Sequence, residues 1–151
     1  MSRSDIRAVV QMHPLGCAVA CVAALCDTTY DEALRLFDQP ELAWTRGFYC
    51  SEVTSALNQL GFSYIFEVYD ANRHRPALKK SGTIVFVGSC PAYPAGHYLL
   101  RSHQGWMNPW SNFPSMIDAK ARFEAELPGQ ISYVIMPLIT SVIRARESTS
   151  C

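Results

Sequence analysis

The chain has no excess of charge of either sign, since Lys+Arg and Asp+Glu each total 13. That removes the electrostatic case for nucleic acid or a membrane surface as partner. No apolar run approaches membrane-spanning length, and Met1–Arg7 has no hydrophobic signal core, so no membrane insertion and a cytoplasmic location are expected. There is no internal repeat and no linker. A paired metal-ligand set is missing too. His13, Cys17, Cys21 and Cys26 lie on one apolar helix and its lead-in, with no second pair elsewhere, so neither metal nor cofactor is implied. The six cysteines, in a chain without a signal, are expected to be reduced thiols. At 151 residues the chain is most simply one domain over 1–143, followed by a disordered tail at 144–151. That length can bury a core without disulfide or metal.

What is present is organised around Gln11–Leu25, Gln-Met-His-Pro-Leu-Gly-Cys-Ala-Val-Ala-Cys-Val-Ala-Ala-Leu. Pro14 and Gly16 interrupt the chain, and Cys17 then opens an alanine-rich run that predicts a helix over Gly16–Leu25. Nearly free of charge, that helix should be buried all round. Residues 5–10 suit a strand or extended segment. Thr29-Tyr-Asp-Glu32 is a capping-box pattern that opens a second helix, stopped by Gln39-Pro40. Ser51 can cap a third, with Gly61 at its C-terminus. Phe62–Tyr69 and Thr83–Gly88 read as strands and Arg73–Lys80 as a solvated basic loop. His97–Ser102 and Gly105–Trp110 form a hairpin by spacing. Ser115–Glu126 predicts a fourth helix, and Ser132–Ile139 a last strand. Helices first and a mostly antiparallel sheet after them make an α+β domain.

Thiol attack on an amide needs a nucleophilic sulfur, an imidazole to share its proton, a group to orient that imidazole, and donors for the oxyanion. Cys17 stands at a helix start, where free N–H groups and the positive dipole end lower a thiol's pKa. His97 begins a strand directly after a Pro/Gly loop. Asn108 lies across the hairpin, close enough to accept from an imidazole N–H, with Asn112 and Asp118 as rivals for that role. Gln11, six residues before Cys17, can join the Cys17 backbone N–H as oxyanion donor. Of the other five cysteines, Cys21, Cys26, Cys50 and Cys90 read as buried structural thiols, and Cys151 ends the chain. His13 is a rival imidazole whose side of the loop is open. The aromatics Trp44, Phe48, Tyr49, Tyr93, Trp106, Trp110 and Phe113 read as core or cleft wall.

A glutamine six residues before a helix-starting cysteine resembles the papain-like arrangement. The run from Gln11 to Ile139 resembles the bacteriocin-processing, double-glycine-leader cysteine peptidase family. The likeness lies in the cysteine helix, in Tyr-Asp-Glu-Ala-Leu-Arg-Leu-Phe, in Ser-Glu-Val-Thr-Ser-Ala-Leu-Asn-Gln-Leu-Gly-Phe, in Thr-Ile-Val-Phe-Val, in Gly96-His97-Tyr98-Leu99-Leu100 and in Asn108-Pro109. It implies a papain-like fold with Cys17 as nucleophile, His97 as base, Asn108 as orienter and Gln11 as oxyanion donor, acting on a peptide or protein substrate. Two residues depart from that family: Ala18 stands where it usually has glycine, and Asn108 where it usually has aspartate. The expected activity is cleavage of an amide bond through a thioester. The same residues would also serve a glutamine deamidase or an acyltransferase, and a non-catalytic binder of leader-like peptides is the reading from another class.

Overall fold

A computed structural model describes residues 5–138, so the expected tail at 144–151 and Ile139 lie outside the described residues. The helices are α1 (Cys17–Leu25), α2 (Tyr30–Leu34), α3 (Leu42–Thr45), α4 (Cys50–Gln59) and α5 (Ala71–His74), the last continuing into a 3-10 turn at Arg75–Lys79. The strands are β1 (Tyr64–Val68), β2 (Ile84–Val87), β3 (His97–Ser102), β4 (Gly105–Asn108), β5 (Arg122–Glu124) and β6 (Ile131–Pro137). They form one sheet in the order β1-β6-β2-β3-β4-β5, antiparallel at every pairing. The α+β expectation holds.

Alanine-rich α1 runs through the middle of the core, with Ala18 to Ala23 at zero exposure. Small side chains let it approach α2, α4 and β3 closely, and Ile84, Tyr98, Leu100, Met107 and Ile135 pack on it from one face of the sheet. The other face buries a smaller cluster of Val85, Val87, Leu99, Trp106 and Val134. β3 is therefore covered on both sides, and its first residue, His97, starts from a fixed position. The capping box of α2 is formed: Glu32 N–H donates to Thr29 Oγ1 at 3.1 Å and Thr29 N–H to Glu32 Oε1 at 3.4 Å. α4 begins one residue before Ser51, with Tyr49 at the N-cap and its N–H on Glu52 Oε1 at 2.7 Å. No helix among the described residues is long and apolar enough to cross a membrane.

Several details differ from the expectations. Ser115–Glu126 is not a helix. Asn112 clamps the intervening loop, donating to Asp118 O at 2.6 Å and accepting from Lys120 N at 2.8 Å, and Arg122–Glu124 pairs with β4 as a strand. Ile117, an apolar position that would have anchored such a helix, is fully exposed. The basic segment at Arg73–Lys80 is helical turn rather than open loop, and α3 was not expected at all. Residues 5–10 form no strand, which leaves the extended segment of the two alternatives, and β4 ends at Asn108 rather than Trp110.

Candidate active site

Cys17 is the first residue of α1, with Gly16 as its N-cap. Gly16 is required by space: a Cβ there would stand 2.0 Å from the Tyr30 hydroxyl, which is held by His13 Nδ1 at 2.9 Å. The sulfur is nearly buried and accepts a hydrogen bond from Tyr98 N–H on β3 at 3.4 Å, so the helix start and the strand start meet at this atom. His97 is the residue just before Tyr98, and Cys17 and His97 line the same cavity of about 410 Å³. No hydrogen bond joins sulfur and imidazole among the described residues.

His97 Nε2 pairs with Asn108 Oδ1 at 2.7 Å, leaving Nδ1 as the free ring nitrogen. Of the rivals, Asn112 spends its amide on Asp118 O and Lys120 N–H, and the Asp118 carboxylate lies beside Lys120 Nζ at 3.9 Å. His13 is not a cavity residue; its ring packs on Tyr30 and Trp44. Gln11 is buried at 1 % exposure, and both amide protons go to backbone carbonyls, His13 O at 3.0 Å and Pro14 O at 3.2 Å. Its Oε1 is buried without a partner. In this arrangement Gln11 braces the loop that delivers Cys17, and neither amide proton is free for an oxyanion. Among the described residues, no group of three or more His, Cys, Asp or Glu side chains could hold a metal ion.

Two residues at the site were not singled out from the sequence. The Tyr93 ring stacks on His97 at 3.8 Å and 2°, accepts from Asn108 Nδ2 at 3.0 Å, and donates to Trp110 O at 2.7 Å. Glu124 Oε2 accepts the other Asn108 Nδ2 proton at 3.0 Å. Tyr93 was expected only as core or cleft wall, and Glu124 was hidden inside the expected fourth helix. Phe48, Phe86, Trp110 and Phe113 make the cavity walls largely apolar, and Arg46 is the cation at its rim, paired with Glu52 and lying 3.8 Å over the Tyr49 ring.

The expectation of a lowered thiol pKa is corrected by burial. Desolvation raises the Cys17 thiol to about 11, against the lowering effect of the Tyr98, Ala18 and Cys17 N–H groups. Burial likewise lowers His97 to about 4, opposed by its bond to Asn108. The site therefore rests as a neutral thiol beside a neutral imidazole. A consequence for stability follows from the sign of the His97 shift. The unfolded chain takes up the proton near pH 6.5 and the folded one only near 4, so stability is complete above that window and falls as pH drops through it. At pH 5 the loss from this one group is about 2 kcal/mol. Urea unfolding at pH 7 and pH 5 measures it, and His97→Gln should lose that part of the pH dependence.

No family model and no curated protein matches the chain. Among solved structures it is similar to the peptidase domain of Streptococcus ComA, a bi-functional ABC transporter involved in a quorum sensing pathway. The TM-score is 0.55 at 16 % sequence identity, over 89 % of this chain and 100 % of that one. The chain shares the fold of that domain.

Proposed function

We propose that the protein is a thiol hydrolase of peptide bonds. The observation that carries this reading is the meeting of Cys17 at the start of α1 with His97 at the start of β3 in one cavity, with His97 Nε2 held by Asn108 so that Nδ1 is the available base. As the Cys17 sulfur attacks a carbonyl carbon, its proton passes to Nδ1. Because both groups rest uncharged, this transfer accompanies the attack instead of preceding it. The developing oxyanion is met by the Cys17 backbone N–H at the positive end of α1. Gln11 can add a second donor only by giving up one backbone carbonyl, and the longer of its two bonds, to Pro14 O, is the one to yield. Nδ1–H then protonates the leaving amine as the C–N bond breaks. Water attacks the thioester, releases the acid and returns a proton to the sulfur by way of Nδ1. Stacking by Tyr93 keeps the ring plane fixed through these steps and favours the transient imidazolium. The substrate is a peptide or protein segment able to place apolar side chains against Phe48, Phe86 and Trp110.

A second reading, peptide binding without cleavage, is favoured by one observation: burial opposes ionisation of both Cys17 and His97. A mixture of synthetic peptides incubated with the protein and read by intact mass separates the possibilities. Fragments that sum to the parent plus one water mean hydrolysis. A parent converted from amide to acid means deamidation, and a parent joined to an added amine means acyl transfer. A parent retained on the protein without conversion means binding alone, and that outcome would sink the hydrolase.

A further inference from the structure

Asn108 makes four hydrogen bonds. Oδ1 accepts from His97 Nε2 at 2.7 Å and from Trp110 N–H at 3.0 Å, while Nδ2 donates to Tyr93 Oη and Glu124 Oε2, each at 3.0 Å. Two of these partners have only one role open to them. A backbone N–H can only donate, and an ionised carboxylate can only accept. The amide therefore cannot be turned over, and Oδ1 must face the imidazole. Nε2 must then carry the ring proton, and the lone pair must sit on Nδ1.

An asparagine brings no charge to the base. Glu124, one residue of amide away, does. It is half-buried on β5 and makes no ion pair among the described residues, so its charge is not already neutralised at contact. The other ionisable groups around His97 are the Cys17 thiol on α1 and the Tyr93 phenol in the preceding loop, with Cys90 beyond Tyr93. Arg122, the other charged residue of β5, is exposed. We propose that Glu124 is a positioning residue for the His97 base: hydrogen-bonded through Asn108, it fixes the Nε2–H tautomer and supplies at one remove the negative charge that position 108 lacks. This inference rests on the hydrolase reading and deepens it.

The plain alternative is a tether holding β5 to β4. Glu124→Gln separates the two roles, because the amide oxygen can still accept from Asn108 while the charge is gone. The readout is the rate constant for iodoacetamide alkylation at Cys17, followed on the Cys17 peptide by mass spectrometry across the range where an imidazole titrates. In Glu124→Gln the rate at neutral pH should fall about three- to tenfold. Its acid limb should move to lower pH by up to about one unit, since a carboxylate favours the imidazolium and its removal lowers that pKa. In an Asn108→Asp background the effect of Glu124→Gln should vanish, because the aspartate already brings a carboxylate charge to Nε2 and the two contacting carboxyls otherwise share a proton. An unchanged rate and limb in Glu124→Gln, or equal harm in both backgrounds, overturns the proposal. His97→Gln distinguishes this from failure of the underlying reading. If that variant alkylates as fast as the parent, the pairing of sulfur with imidazole is itself absent. If it is slow while Glu124→Gln is unchanged, only the role of Glu124 falls.

Discussion

Replacing Cys17 with alanine is expected to reduce peptide cleavage to background, a loss of about ten-thousandfold or more in kcat/KM. In the proposed reaction the sulfur is the atom that forms the thioester, so no neighbouring group could take over the covalent step. Cys21, one turn along the same helix, is at zero exposure in the core and cannot reach the cavity. The fold should tolerate the change. Alanine is the strongest helix former, the lost volume is one sulfur, and the hydrogen bond given up is the long one from Tyr98 N–H. Urea unfolding should therefore move by no more than about 1–2 kcal/mol, which separates a chemical loss from a structural one. Full activity in Cys17→Ala would remove the hydrolase proposal.

The second large effect is on stability and sits one residue before His97. Gly96 has φ +80, and a Cβ there would lie 2.3 Å from Phe86 Cζ and 2.9 Å from the Val87 carbonyl oxygen. The Phe86 ring is confined by Tyr98, whose ring centroid is 4.8 Å away, and the Val87 oxygen is backbone of the paired strand β2. Gly96→Ala should cost about 1 kcal/mol for the left-handed conformation and a further 1–3 kcal/mol for overpacking. His97 is carried on the displaced segment, so the Cys17 alkylation rate should fall with stability. Gly61→Ala is the matched control. It has φ +87 but meets nothing within 4 Å, so only the conformational part applies. Equal urea midpoints for Gly96→Ala and Gly61→Ala would show that the contact with β2 is not the constraint.

Local rules were sufficient where neighbours in sequence decide the outcome. Pro14 and Gly16 before an alanine-rich run placed Cys17 at a helix threshold, Thr29 and Glu32 specified the start of α2, and hairpin spacing brought Asn108 across from His97. They failed where distant contacts win. Ser115–Glu126 has helical composition, but the Asn112 clamp and the open edge of β4 make its end a strand instead. That one error also concealed Glu124, since a residue assigned to a separate helix has no register with Asn108. The direction of the Cys17 shift was beyond local reasoning for a related cause. A helix terminus is visible in sequence, whereas the desolvation that outweighs it comes from packing against β3 and the loops around the cavity. The amide of Gln11 was placed in the right neighbourhood, but which atoms it faces depends on how the His13–Gly16 turn closes.

The course of α1 through the interior builds one side of the cleft from the core and leaves the other to surface connections. The side bearing Cys17 belongs to a segment with no exposure from Ala18 to Ala23, and its amides should exchange with solvent only when the whole chain opens. The opposing side is built from the surface connections around Gly47 and Pro94. On the proposed reading, changes in which chains are accepted can accumulate in the connection around Gly47, whereas the one around Pro94 also carries Tyr93 and His97 and is bound to the chemistry.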